Sequence, residues 1–192
     1  MRLFVAVDLD ERARAALAGS AGMLRAHLES AGGLRGTAVK WVEARHMHLT
    51  LHFVGELDDR RVPAIVNALS EPLPTAPVVL SLGGWGLFPS RGDPRVVWAG
   101  VTDGVEGLRT AHRLTGDRLR ALGLALEPRP LSPHLTVGRV KEPASTAWLA
   151  GFATAAPLAP VSCRIDHCTL YQSRLSPSGP SYLVLARTRW HT

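Results

Sequence analysis

The chain has 192 residues and a mass of 20.6 kDa, which suits one domain or two small lobes. Hydrophobic residues make up 46% and charged residues 20% of the sequence, a composition that excludes a disordered chain. The net charge of +6 and the pI of about 10.3 favour a polyanionic partner such as RNA, DNA or a phosphorylated small molecule. Two cysteines are too few for a disulfide framework, and acidic residues interrupt the apolar N-terminal run, so we expect a cytoplasmic protein without a membrane span.

In the first half of the chain, strand-like runs alternate with helical ones. Apolar and β-prone runs predict strands at residues 3–9, 38–42 and 46–54, the last with strict alternation. Two helices follow acidic caps, the first from Asp10 to about Ser30 and the second from Asp58 or Asp59 to about Leu69. The glycines of residues 31–36 predict a loop between the first helix and the second strand.

In the second half, strands outnumber helices and several adjoin one another. Strands are predicted at residues 78–82, 95–101, 135–140, 161–171 and 182–187. Helices are predicted at residues 104–122 and 144–152, and loops rich in Gly, Pro or Ser at residues 83–94 and 173–180. Because adjacent strands without an intervening helix pair antiparallel, the sequence predicts an α+β fold and not a doubly wound parallel sheet. The absence of a Gly-x-Gly-x-x-Gly or Walker motif argues against nucleotide-cofactor folds.

One pattern occurs twice, as His48-Leu49-Thr50 and as His134-Leu135-Thr136. Side chains two positions apart on a strand point to the same face, so each strand offers an imidazole beside a hydroxyl. A duplicated lobe would bring the two strands face to face across a cleft. Two imidazoles suit phosphodiester hydrolysis, because one takes a proton from water while the other protonates the leaving oxygen. The threonine hydroxyls are placed to donate hydrogen bonds to the non-bridging phosphate oxygens.

With these motifs and their flanks, the sequence resembles the two-histidine phosphoesterase superfamily, and within it the bacterial RNA 2',3'-cyclic phosphodiesterases of the 2'-5' RNA ligase family. The resemblance covers nearly the whole chain. Besides the two motifs it rests on Trp41, Phe53 and Gly55, and on the segments at residues 2–7, 88–89, 95–101, 170–173 and 179–182.

The resemblance implies a single two-lobed domain over residues 1–192, with two antiparallel sheets facing a central cleft, helices outside and pseudo-twofold duplication. It implies that His48 and His134 are catalytic and that Thr50 and Thr136 bind phosphate. The reaction opens an RNA 2',3'-cyclic phosphate to a 2'-phosphate, and we assign His48 as the acid and His134 as the base. We expect no metal, no cofactor, no obligate protein partner and a monomer, and some members of the family also run the reverse 2'-5' ligation.

Three further residues are candidates for substrate contact. In the family the residue five after the second motif histidine often reaches the substrate, which here is Arg139. Strict alternation points Arg139 away from His134, so it joins the site only if a bulge or bend follows Gly138. Phe53 and Tyr171 are expected to border the cleft.

Several alternative interpretations stay open at this point. His46, His48 and His52 share strand parity and have a spacing found in metal sites, but no carboxylate lies on that face. A zinc site from Cys163, His167 and Cys168 is less favoured than ordinary strand packing. We expect Trp41 and Trp98 in the core and consider Trp85 the best candidate for stacking an RNA base; the loop arginines that are candidates for RNA contact are Arg91, Arg95, Arg129 and Arg174.

Other functions also remain possible for the same residues. The substrate is then a small cyclic phosphate such as ADP-ribose 1'',2''-cyclic phosphate, or a 2'-5' oligonucleotide. A protein that binds RNA without turnover is a third hypothesis, although a pure binder has no need of two proton-transfer groups. No Gly-x-Ser-x-Gly elbow supports a serine hydrolase.

Overall fold

Ten strands and four α-helices form the part of the chain that the computed structural model describes, which is residues 1–32, 39–177 and 179–191. The strands are β1 (Arg2–Asp8), β2 (Val39–Trp41), β3 (His48–Glu56), β4 (Leu73–Pro74), β5 (Val78–Phe88), β6 (Val96–Asp103), β7 (His134–Val140), β8 (Val161–Ile165), β9 (His167–Ser176) and β10 (Gly179–His191). The helices are α1 (Glu11–Gly32), α2 (Val62–Ser70), α3 (Val105–Ala121) and α4 (Thr146–Thr154). Most of the loop predicted at residues 31–36 lies outside the described residues, and residues 31 and 32 belong to α1.

The predicted helix starts are confirmed at the residues that cap them. The Asp10 carboxylate accepts a hydrogen bond of 2.7 Å from the backbone N–H of Ala13 in the first turn of α1. The Asp58 carboxylate accepts one of 2.9 Å from the backbone N–H of Arg60, in the short 3-10 turn that leads into α2. These short polar side chains therefore set where both helices begin.

The strands form two five-stranded sheets. The first sheet has the order β3-β1-β9-β10-β4 and the second β2-β7-β6-β5-β8. Neighbouring strands pair antiparallel except β4, which lies parallel to β10. Cα atoms of β3 and β7 come within 8 Å of one another, so the two motif strands lie side by side where the sheets meet. The predicted α+β class with two facing antiparallel-rich sheets is confirmed.

The helices link the two sheets from outside the cleft. α3 contacts β3 of the first sheet and β5 of the second, while α1 packs against α4 and β8. The buried side chains beneath them, such as Leu17, Leu49 and Leu135, form one continuous hydrophobic core. The apolar alternation of the strands thus positions the polar residues of the motifs on the opposite, inner face.

The predicted loop over residues 83–94 is wrong for its first half, because β5 continues to Phe88. Its pairing with β6 shifts register between Leu82 and Trp85, and the glycines between them accommodate this irregularity. A Cβ on Gly86 would lie 2.0 Å from the Trp98 ring, so glycine is required there for Trp98 to lie flat on the strand. The glycines between Leu82 and Trp85 therefore allow a bulge within the strand, and Gly86 allows the Trp98 ring to pack against it.

The predicted strand over residues 161–171 is wrong as one element. It breaks at Asp166 into β8, at the edge of the second sheet, and β9, near the middle of the first. The predicted connection at residues 173–180 is largely strand as well, since Ser176 pairs with Gly179 at the end of the β9–β10 hairpin. Local composition does not show these features because pairing partners, distant in sequence, decide them.

Candidate active site

The two motif strands have the same burial pattern. From His48 in β3 and from His134 in β7, the first and third residues are half-buried, the second, fourth and fifth buried, the sixth exposed and the seventh buried. The pattern departs from simple alternation at the fourth and fifth residues, where two consecutive side chains are buried. This shared departure is the clearest structural sign of the duplication.

A bulge in each strand explains the departure. In the pairing of β1 with β3, Ala6 faces Thr50 and Val5 faces His52, so Leu51 has no partner of its own. In the pairing of β6 with β7, Trp98 faces Thr136 and Val97 faces Gly138, which leaves Val137 in the same position. One extra residue reverses the parity of all that follow.

The bulges return Phe53 and Arg139, each five residues after a motif histidine, to the face of the imidazoles. The bulge that Arg139 requires is therefore present, one residue before Gly138 and not after it. Phe53 lies opposite Phe4 with 61% of its surface exposed. Arg139 is also exposed, and its positive charge acts on His48 and on the Tyr182 hydroxyl of the first sheet.

Strict alternation predicts that His52 points to the same face as His48, but the bulge in β3 turns it to the opposite face. Its side chain lies on the helix side, 5% exposed, with its ring stacked on His112 of α3 at 4.1 Å. His52 Nε2 lies 2.7 Å from the carbonyl oxygen of His112 and donates to it. His52 therefore does not share a face with His48. The metal site of His46, His48 and His52 that the spacing suggested is not formed.

Both motif imidazoles are held in the same way. His48 Nδ1 lies 2.8 Å from the carbonyl oxygen of His46, and His134 Nδ1 lies 2.8 Å from that of Ser132. A carbonyl only accepts, so Nδ1 carries the hydrogen in each ring and donates it. Nε2 is then the nitrogen of each ring that is available to give or take a proton.

Aromatic side chains enclose His48. The Phe4 ring stacks on the imidazole at 4.9 Å, and Tyr182 meets it edge-on at 5.4 Å. This burial lowers the pKa of His48, and the charge of Arg139 acts in the same direction, while the hydrogen bond to His46 and the charge of Asp8 oppose it. Sequence reasoning did not assign Tyr182 or Asp8 to the site: Tyr182 belongs to a segment that carries the family resemblance, and Asp8 is a single acidic residue that gives no local signal.

Tyr171 lies beside this site with its hydroxyl already engaged. It donates to the Asp8 carboxylate at 2.8 Å, and the Thr169 hydroxyl donates to the same carboxylate at 2.9 Å. Burial and the neighbouring Asp8 raise the pKa of Tyr171 well above its ordinary value, so the phenol keeps its proton. Its ring stacks on Phe4 at 5.2 Å, so Tyr171 supports the packing around His48.

His134 has its own aromatic neighbours on the second sheet. Phe88 meets the imidazole edge-on at 5.0 Å, and the Trp98 ring lies at 6.3 Å.

Trp98 is therefore half-buried beside the site and not in the core as expected, because its strand position faces Thr136. Trp85 is half-buried in β5, pairs with Ala99 and packs against the core, so the expectation of an exposed loop position is wrong, while its stacking on an RNA base stays a prediction. Trp41 packs against the core in part, as expected.

The two threonines lie next to their histidines on the inner face. Thr50 and Thr136 are half-buried, and each lies opposite a residue of the adjacent strand, Ala6 and Trp98 respectively. Each strand thus presents an imidazole and a hydroxyl on its inner face.

A cavity opens beside each histidine. The cavity at His48 measures about 850 Å³ and includes Asp8, Arg14, Tyr182 and Arg187 in its lining. The cavity at His134 measures about 560 Å³ and is lined by Phe88, Leu131 and other residues. Arg129, a candidate for RNA contact, lines the second cavity and forms an ion pair of 2.9 Å with Glu127. Both volumes fall in the range of small-molecule sites.

Within residues 1–32, 39–177 and 179–191, no three His, Cys, Asp or Glu side chains group closely enough to hold a metal ion. Cys163 and Cys168 are buried thiols in different sheets, and burial raises the pKa of both. His167 Nδ1 lies 2.8 Å from the Asp166 carboxylate. No helix in the described ranges is long and apolar enough to cross a membrane.

Comparisons with known proteins agree on one family. The model of the LigT-like phosphoesterases matches residues 8–98 and 101–182. An RNA 2',3'-cyclic phosphodiesterase of Archaeoglobus fulgidus is 39% identical over 73% of both chains, and one of Methanothermobacter thermautotrophicus is 34% identical over 95% of both. Among solved structures, TT0787 of Thermus thermophilus has a TM-score of 0.70 at 32% identity, with 98% of this chain and 97% of that one covered. Escherichia coli LigT in complex with 3'-AMP shares the fold, with a TM-score of 0.73 at 22% identity over 100% and 98% of the two chains.

Proposed function

Because this chain belongs to the LigT-like phosphoesterase family, we propose that His48 and His134 hydrolyse RNA 2',3'-cyclic phosphate ends as an acid–base pair that needs no metal. The chain is a hydrolase of the RNA 2',3'-cyclic phosphodiesterase kind, the name that its relatives share. The observation that carries the proposal is the matched pair of imidazoles on neighbouring strands, each with Nδ1 bound to a carbonyl and Nε2 available.

The reaction balances with these groups alone. His134 Nε2 takes a proton from water, whose oxygen forms a new bond to phosphorus. The bond between phosphorus and O3' breaks, and His48 Nε2 gives its proton to O3', which leaves a 2'-phosphate. The hydroxyls of Thr50 and Thr136 donate to the non-bridging oxygens, where negative charge grows in the transition state. Arg139 supplies a positive charge from the second strand.

The burial of His48 opposes its assignment as the acid, because an acid must be protonated before it reacts. A lowered pKa favours the neutral imidazole in the free enzyme, which alone would suit a base. The phosphate of a bound substrate brings a negative charge that restores the protonated form. The same steps, with an RNA 5'-hydroxyl in place of water, would form a bond between O5' and phosphorus, break the bond to O3' and give a 2'-5' linkage.

The test is an assay on a short RNA that ends in a 2',3'-cyclic phosphate, with EDTA present. We expect the wild-type protein to release a 2'-phosphate end, and His48→Ala and His134→Ala each to lose roughly 10²–10⁴-fold in rate. His27→Ala is the matched control, because His27 is an exposed histidine of α1 that bonds to Gly151 of α4. It should keep the wild-type rate.

Three outcomes would count against the proposal. A loss of less than about tenfold in both histidine variants would remove the acid–base assignment. Loss of wild-type activity in EDTA, restored by a divalent cation, would contradict a reaction without metal. RNA binding with no product would favour a small cyclic phosphate, a 2'-5' oligonucleotide or a purely RNA-binding role.

A further inference from the structure

The cavity beside His48 is lined by more arginines than carboxylates. Besides His48 it is lined by the guanidinium groups of Arg14, Arg45 and Arg187, and by two acids, Asp8 and Glu43. Glu43 is paired with Arg45 at 2.8 Å, and Asp8 accepts the hydroxyls of Thr169 and Tyr171. Both acids therefore have partners, whereas neither Arg14 nor Arg187 forms an ion pair with a carboxylate of the described residues.

Arg14 is held in the wall of this cavity by the start of α1. Its Nη2 donates to the carbonyl oxygen of Leu9 at 2.8 Å, which fixes the guanidinium close to the end of β1. Its Nε is buried and has no hydrogen-bond partner within the described part of the chain. This Nε is shielded from the cavity, but Arg14 lines the cavity and no carboxylate of the described residues pairs with its charge, so the charge favours an anionic ligand there.

Arg187 approaches the same cavity from β10. Its backbone lies opposite Thr169, whose hydroxyl is bound to Asp8, so its side chain shares the inner face of the first sheet. It is exposed, and its charge acts on the neighbouring Tyr171. The two guanidinium groups thus belong to different elements and line one cavity of about 850 Å³, which is large enough for a nucleotide.

We propose that Arg14 and Arg187 bind a second phosphate, the one on the 5' side of the nucleotide that carries the cyclic phosphate. The inference rests on the proposed function, because the two motif histidines hold the reacting phosphate at the 3' side. The nearest other phosphate in such a substrate is on the 5' side of the terminal nucleotide, either an internucleotide diester or a terminal 5'-phosphate. Guanidinium groups are well suited to either one.

The first experiment compares kcat/KM of the wild-type protein on four substrates: adenosine 2',3'-cyclic phosphate, its 5'-phosphorylated form, an adenosine dinucleotide with the same cyclic end, and that dinucleotide with a neutral methylphosphonate linkage. We expect a second phosphate to raise kcat/KM by about five- to tenfold, and the neutral linkage to remove the gain. A gain on the dinucleotide alone identifies the diester as the ligand, and a gain on the 5'-phosphate alone identifies a terminal phosphate. Equal values on all four substrates would overturn the proposal.

The second experiment tests whether Arg14 and Arg187 cause the gain in kcat/KM that the second phosphate gives. Arg187→Gln and Arg14→Gln should each lower the ratio of kcat/KM with and without the second phosphate toward one. Arg189→Gln is the matched control, because Arg189 is exposed on the same strand and face but lies outside the cavity lining. If Arg14→Gln fails to fold, as judged by circular dichroism, the result for Arg187→Gln, at an exposed position, tests the proposal by itself. An unchanged ratio in Arg187→Gln would contradict the assignment.

Calorimetry separates this inference from the proposed function, because binding does not require turnover. We expect adenosine 2',5'-bisphosphate to bind the wild-type protein at least about fivefold more tightly than 2'-AMP, and Arg187→Gln to lose the difference. If the wild-type protein hydrolyses no cyclic phosphate, the proposed function fails and this binding difference alone decides the subsite. No difference between the two ligands would overturn the subsite while leaving hydrolysis intact.

Discussion

His48 and His134 have the same backbone support and different surroundings. Each donates its Nδ1 hydrogen to a carbonyl two residues earlier in the chain. His48, however, is half-buried beneath the rings of Phe4 and Tyr182, which cover part of it. The shared support leaves Nε2 of each ring as the nitrogen that can exchange a proton, and burial beneath the aromatic rings lowers the pKa of His48.

Removal of the Tyr182 ring should therefore reveal which proton transfer His48 performs. In Tyr182→Ala, water reaches the imidazole and its pKa rises from the lowered value back toward the ordinary one. If His48 is the acid, the alkaline limb of the profile of kcat/KM against pH moves to higher pH. Phe88→Ala, which opens His134 instead, should leave that limb in place.

The opposite result is equally clear. An acid limb that moves to higher pH in Tyr182→Ala, with an unmoved alkaline limb, would show that His48 is the base. It would reverse the assignment and leave the two-histidine mechanism in place.

At the scale of elements, the sequence predicts what alternation and caps determine and misses what distant pairing determines. The motif strands and the starts of α1 and α2 are visible in local residues. The bulges at Leu51 and Val137 are not, because both residues are apolar and continue the alternation; only their pairing with β1 and β6 reveals the extra residue. The break at Asp166 is hidden for the same reason, since β8 and β9 join different sheets.

The site shows the same division between local and distant information. His48, Thr50, His134 and Thr136 are read directly from a repeated motif. Asp8, Tyr182 and Trp98 reach the site from strands whose register no local pattern specifies.

The bulge in β3 makes folding stability depend on pH through His52. Burial lowers the pKa of His52 to about 4, and the charges of His112 and Arg120 act in the same direction against the opposing hydrogen bond to His112. Between pH 6.5 and 4, His52 is protonated in the unfolded chain but stays neutral in the folded chain. The contribution of His52 to the free energy of unfolding is therefore fully present above pH 6.5 and decreases below it. We expect the free energy of unfolding to drop by up to about 3 kcal/mol over this range, measured by denaturant titration.

His52→Gln should flatten this dependence, because the amide keeps a donor toward His112 without titrating. His27→Gln, on the exposed side of α1, should leave it as steep as in the wild-type protein. An equally steep fall in His52→Gln would show that other groups are responsible.

At the scale of the whole molecule, neither sheet is a continuous segment of the chain. The first sheet combines β1 and β3 with β9 and β10, and the second takes most of its strands from the middle of the sequence. α3 contacts both sheets, and the buried residues form one core. These links favour one two-lobed cooperative unit over two independent domains.

A core substitution in one sheet should therefore weaken both. Leu135→Ala removes a fully buried side chain of β7 and should cost about 2–5 kcal/mol. Native-state hydrogen exchange should show the opening free energies of β1 and β6 amides falling together by that amount. Loss of protection in β6 alone would divide the molecule into separate domains.

The place of β1 between β3 and β9 also constrains the order in which a ribosome can assemble the protein. β1 and β3 emerge early, yet the strand that flanks β1 on its other side begins only at His167. At about 5–20 residues per second, the pair waits several seconds with one edge open. Asp8 likewise lacks Thr169 and Tyr171 until then, so the surroundings of His48 are completed only after the whole second sheet has been synthesised. A nascent chain therefore carries His48 long before the residues that surround it are in place.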